Sequence, residues 1–160
     1  MKSNSQLSDV LHVLLHMAHA EAPVTSEALA RSMRTNPVVL RRLMAGLREA
    51  GLVTSEKGHG GGWVMAAPLE RVTLHDVHLA LGAPPLVWLG FREDRPECLV
   101  AQVVNASLRT AIEQAQTVLM ARLDGITLAE LSKDFDECLS RHRVAAGPLV
   151  HRLEDHHGQD

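Results

Sequence analysis

The chain has 160 residues, enough for one domain or one small domain with an extension. Its 46% apolar content can fill a core, and no run of about 18 apolar residues predicts a membrane span. The polar start, residues 1–6, has no signal-peptide core, so a cytoplasmic location is expected, and two cysteines, Cys98 and Cys138, cannot make a disulfide framework.

Residues 7–20 read as a helix, with Leu7, Val10, Leu11, Leu14, Leu15 and Ala18 recurring at helical spacing. Pro23 ends that region, and Thr25 is a good N-cap for a short helix over 26–33. Thr35-Asn36-Pro37 starts a third helix: Asn36 suits the N-cap, and Pro37 suits the first position, where a missing N–H costs nothing. Leu40, Leu43, Met44 and Leu47 form its buried stripe, which leaves Val38, Val39, Arg41, Arg42 and Ala45 largely off it. Gly51 supplies the stop.

Strands are expected over 52–55 and 63–66. Between them lies Glu56-Lys-Gly-His-Gly-Gly-Gly62, whose glycines make a flexible tip able to approach another surface closely. This pattern is a helix-turn-helix followed by a hairpin wing. Thr73 caps a helix over 74–81. A loop with Pro84, Pro85 and Pro96 leads to one long helix over 97–123. Its stripe, Val100, Val104, Leu108, Ala111, Ala115, Leu119 and Leu123, needs a partner, and a second copy of the chain is the simplest one. Gly125 breaks the helix, and Thr127 caps a last one over 128–139.

The fold class expected is mainly α with a small β-hairpin wing: a winged helix-turn-helix plus a long C-terminal dimerisation helix. The divisions are a winged DNA-binding domain over 1–82, then linker loop, long helix and final short helix over 83–140. A polar, His-rich, loosely ordered tail follows over 141–160.

The overall charge of −3 is unevenly spread. Residues 1–67 carry 7 Lys+Arg against 5 Asp+Glu, whereas 68–160 carry 9 against 14. A local basic patch on an acidic chain suits a phosphate backbone. No nucleophile with a base, no paired catalytic carboxylates and no Gly-x4-Gly-Lys-Ser/Thr loop point to an enzyme.

Several segments together resemble the Rrf2 family of bacterial winged-helix regulators, the IscR/NsrR/CymR-like group. They are Asn36-Pro-Val-Val-Leu-Arg-Arg-Leu-Met-Ala-Gly-Leu-Arg-Glu-Ala-Gly-Leu-Val53, Lys57-Gly-His-Gly-Gly-Gly-Trp63, Val72-Thr-Leu-His-Asp-Val77, Cys98-Leu and Ile126-Thr-Leu-Ala-Glu-Leu131. The resemblance runs over residues 5–135. It implies a DNA-binding transcriptional regulator, a repressor acting on a palindromic operator. It also implies a homodimer with crossed long helices, the helix over 36–50 in a major groove and the wing in the adjacent minor groove.

The residues agree with that implication. Arg41 and Arg42 can reach base edges or phosphates. Arg34, Thr35 and Asn36 lie at a helix N-terminus, where backbone N–H groups favour phosphate. Val38 and Val39 share the exposed part of that helix. Lys57, His59 and Gly60 sit on a wing able to enter a narrow minor groove. The competing reading is a winged-helix protein–protein interaction module without DNA binding.

The signal is open in the sequence. Relatives in the resembled family hold iron–sulfur clusters on three cysteines near the start of the long helix; here only Cys98 matches. His12, His16 and His19 share a face of the first helix, and His12, with Asp9 nearby, resembles a ligand position that some relatives contribute from the opposite subunit. His12 and Cys98 are therefore the candidate ligands for a metal or cluster, against three residues on a solvated face. Cys98 can instead be a thiol switch, activated by the helix dipole with Arg95 close by, or a small buried apolar residue. A third route is a small ligand at Leu86, Val87, Trp88, Leu89 and Phe91, against simple filling of a dimer core.

Overall fold

The computed structural model describes residues 6–87, 89–91 and 97–145. The elements run α1 (Gln6–Ala18), α2 (Ser26–Ser32), α3 (Pro37–Glu49), β1 (Val53–Glu56), β2 (Gly62–Met65), a 3-10 turn (Leu69–Arg71), α4 (Leu74–Ala80), α5 (Leu99–Asp124) and α6 (Leu128–Ala145). The mainly helical fold with one antiparallel hairpin is as expected.

Local chemistry sets most boundaries. Thr25 accepts from the Ala28 N–H at 3.2 Å, and Asn36 accepts from the Val38 N–H at 2.8 Å, with Pro37 next. Thr73 and Asp76 form a reciprocal capping box at α4, and Thr127 and Glu130 exchange the same two kinds of bond at α6. Each cap satisfies backbone donors that a first turn leaves unpaired.

One core joins Val10, Val13, Leu14 and Met17 of α1 to Leu29 and Ala30 of α2, and to Leu40, Met44 and Leu47 of α3. It also holds Leu52, Val53 and Trp63 of the hairpin region and Val72, Leu74 and Val77 around α4. Leu128 belongs to it too, fully buried although it lies beyond the long helix. The return is pinned by backbone: Leu74 N–H donates to the Ile126 carbonyl at 2.9 Å, and Leu128 N–H to the Val72 carbonyl at 2.8 Å. The last helix therefore closes the winged core.

The elements depart from expectation at several ends. α1 stops at Ala18, before residue 20, and α5 starts at Leu99 with Cys98 as its N-cap. The hairpin sits one residue off the expected strands, pairing Val53 with Met65 and Glu56 with Gly62. Helix α6 runs to Ala145, past residue 139, so the tail expected from Arg141 begins as helix. Side chains of its polar end bond back one turn: Ser140 Oγ to the Asp136 carbonyl at 2.8 Å, and Arg141 Nε to the Glu137 carbonyl at 3.3 Å. Residues 146–160 lie outside the described residues.

Helix α5 has no buried residue. Leu99, Val100, Val103, Val104, Leu108 and Val118 are exposed large hydrophobics along it, while Leu119 and Leu123 are half-buried.

Candidate nucleic-acid interface

Helices α2 and α3 are joined by a tight turn. Thr35 N–H donates to the Ala30 carbonyl at 3.0 Å and Arg34 N–H to the Arg31 carbonyl at 3.1 Å. Arg34 takes φ 50 there, a left-handed conformation that glycine adopts more cheaply. A glycine would fit the turn but carries no guanidinium.

Burying Leu40, Met44 and Leu47 turns the opposite face of α3 outward. Val38 and Val39 are exposed, as are Arg41 and Arg42. Asn36 is exposed and its side-chain oxygen is engaged in the cap; Thr35 is half-buried. Apolar Val38 and Val39 beside two arginines suit thymine methyl groups next to acceptor-bearing base edges.

The wing is tied to the start of α2. Val24 and Trp63 exchange two backbone bonds, at 3.0 and 2.8 Å, and the Trp63 indole N–H donates to Ser26 Oγ at 2.9 Å. Gly62 is required at this root, because a Cβ there would lie 2.7 Å from Val24 backbone atoms. Gly58 and Gly60 take φ 104 and 79, which lets residues 57–61 close the tip. Lys57, His59 and Gly60 are all exposed on it.

One contact was not legible in the sequence. Arg41 Nη2 lies 2.9 Å from Glu27 Oε1 on α2. Nothing in the local pattern flags Glu27, since the pair spans 14 positions and depends on how the two helices cross.

The candidate sensor residues fall in separate places. Cys98 is half-buried at the α5 N-cap and makes no side-chain cap bond; Cys138 is exposed on α6, its Sγ 3.7 Å from His142 Nδ1. His12 and His16 of α1, and His19 just past its end, do not simply face solvent. His12 and His16 meet Nε2 to Nε2 at 2.9 Å, and His19 reaches α6, 3.0 Å from Ser132 Oγ and 3.7 Å from Asp136 Oδ1. With Leu15 and Phe135 these histidines line a cavity of about 100 Å³. Burial lowers the His16 pKa below its ordinary value, and the neighbouring His12 and His19 charges lower it further. Burial also lowers His78 on α4, with His75 adding to the effect. Among the described residues no three His, Cys, Asp or Glu side chains form a group able to hold a metal ion.

Of the apolar loop, Leu86, Val87 and Phe91 are half-buried and Leu89 is exposed, with the Arg109 guanidinium 5.1 Å from the Phe91 ring centre. Trp88 and Arg95 lie outside the described residues.

A family model described as "Rrf2: Iron-dependent Transcriptional regulator" matches residues 3–134. The chain belongs to the Rrf2 family. YwgB of Bacillus subtilis, named as an HTH-type transcriptional regulator, is 37% identical over 83 residues, 51% of this chain and 53% of YwgB. That match thus spans about half the length of the relative. The structure of T. potens IscR has a TM-score of 0.60 at 24% identity, covering 86% of this chain and 90% of that one, a likeness of fold. The Bacillus subtilis CymR structure, described as the global cysteine regulator, has a TM-score of 0.51 at 25% identity, covering 83% and 96%. The Rrf2 protein is accordingly a DNA-binding transcriptional regulator and not an enzyme. Among the described residues no helix is long and apolar enough to cross a membrane.

Proposed function

We propose that this Rrf2 protein represses transcription in the cytoplasm by binding a palindromic operator as a homodimer. The observation that carries the reading is the outward face of α3, where Val38, Val39, Arg41 and Arg42 stand exposed, with Lys57 and His59 on a glycine-hinged wing rooted at α2. Arg34, Thr35 and Asn36 would take phosphate at the α3 N-terminus, and Gly60 would let the wing approach the minor groove. The uncovered apolar face of α5 supports pairing of two long helices, which would set two half-sites about 34 Å apart or a multiple of it.

The donor set of one chain does not fit an iron–sulfur cluster. It has two cysteines, Cys98 at the α5 N-cap and Cys138 on α6, and His12, Asp9 and Cys98 do not gather into a ligand group among the described residues. The signal proposed instead is a peroxide, which would oxidise the Cys98 thiol at the α5 N-cap to a sulfenic acid as its O–O bond breaks and the other oxygen leaves as water or an alcohol.

The test is selection of a duplex from a randomised pool by the full chain, followed by titration at several salt concentrations. Arg42→Ala should cost about 1–3 kcal/mol on the selected duplex and relax preference at one base position. Equal affinity of parent and variant for every sequence would remove Arg42 from the interface.

A further inference from the structure

We propose that Glu27 is a specificity-determining residue that positions Arg41 for a base edge and withholds it from the phosphates. The inference rests on the DNA-binding reading above, and adds to it a residue on α2, outside the recognition helix.

The geometry is simple. Glu27 is the second residue of α2 and Arg41 the fifth of α3, and their side chains meet at 2.9 Å while each remains 57% exposed. So exposed a pair contributes little to folding, because solvent screens it and two long side chains lose freedom. Its consequence lies in where the guanidinium is held. An arginine has five donors in a rigid fork. The Glu27 contact uses Nη2 for one of them, leaving donors in the same plane for the two acceptors of a guanine edge.

Charge points the same way. Arg42, Arg48 and Lys57 have no carboxylate partner among the described residues, so Arg41 is the exposed cation of α3 and wing that is neutralised. A neutralised arginine releases fewer counterions from DNA, and the Glu27 carboxylate itself repels phosphate. Both effects weaken binding to arbitrary sequence. On the right sequence the same contact reduces the freedom that Arg41 loses on docking. Glu27 thus acts on the ratio of specific to non-specific affinity.

The experiment compares the full-length parent, Glu27→Ala, Glu27→Gln, Arg41→Ala and the double variant Glu27→Ala/Arg41→Ala. Each is titrated by fluorescence anisotropy onto the duplex selected by the parent and onto a scrambled duplex. Glu27→Ala should bind the scrambled duplex several-fold more tightly, and its specificity ratio should fall about tenfold. The slope of log affinity against log salt should steepen by about 0.9, as for one more phosphate contact. Glu27→Gln, which keeps an acceptor but no charge, should recover part of the ratio. The double variant should match Arg41→Ala in ratio, because Glu27 then has nothing to position. An unchanged ratio in Glu27→Ala, or a double variant whose losses simply add, overturns the proposal while leaving DNA binding intact. A parent that binds no duplex at low salt overturns the DNA reading and this inference together. Circular dichroism melts of each variant exclude loss of fold as the cause.

Discussion

Gly46 sets two effects of opposite sign against each other. It lies inside α3, where replacing glycine with alanine stabilises an exposed helix by about 1 kcal/mol. Here the added Cβ would stand 2.5 Å from the Ala80 carbonyl oxygen and 3.7 Å from its carbon. Ordinary contact begins near 3.4 Å, so α3 and α4 must separate locally by nearly an ångström. Ala80 presents backbone and cannot swing aside as a side chain would. Overpacking of this kind costs about 1–3 kcal/mol, so the clash should outweigh the propensity gain. Gly46→Ala should be destabilised by about 1 kcal/mol, a loss of about 2–4 °C in a chain of this size. The assay is calorimetric melting of parent and variant at one matched concentration, because self-association would shift both curves. A variant that melts higher than the parent would show that α4 does not press on α3 as described. The consequence for function is angular, since α3 carries Arg41 and Arg42 and a tilt at Gly46 would re-aim both.

Two further outcomes test the fold and its electrostatics. Leu128→Ala should cost about 2–5 kcal/mol in urea unfolding, because a fully buried leucine leaves a cavity in the winged core; a loss under about 1 kcal/mol would mean α6 frays independently. Stability should also fall as pH drops below the ordinary histidine range. His16 and His78 have folded pKa values below their unfolded ones, so below about 6.5 the unfolded chain takes up protons more readily, and the loss levels off once the folded pKa values are passed. His16→Gln should make that decline shallower, and an unchanged decline in urea midpoints between pH 7.5 and 5 would remove His16 from the account.

What the sequence made legible is what short-range chemistry decides. Thr25, the Asn36-Pro37 start, Thr73 and Thr127 announce helix starts because a cap acts within three residues. The glycine-rich wing was legible for a similar reason: positive φ at Gly58 and Gly60 is a demand placed on single residues. The contacts that fix the working geometry are of another kind. Leu128 closing the core, Gly46 against Ala80, Val24 beside Trp63, and Glu27 on Arg41 each join positions separated by 14 to many tens of residues. No periodicity encodes such pairings, because each depends on the angle at which two elements meet. Even the polar end of α6 escaped, since Ser140, Arg141, His142 and Arg143 offer no apolar stripe to signal a helix. Thus the sequence could nominate Arg41 as a DNA-reading residue from its place on the recognition helix, whereas the carboxylate that holds Arg41 became visible only once α2 and α3 were packed.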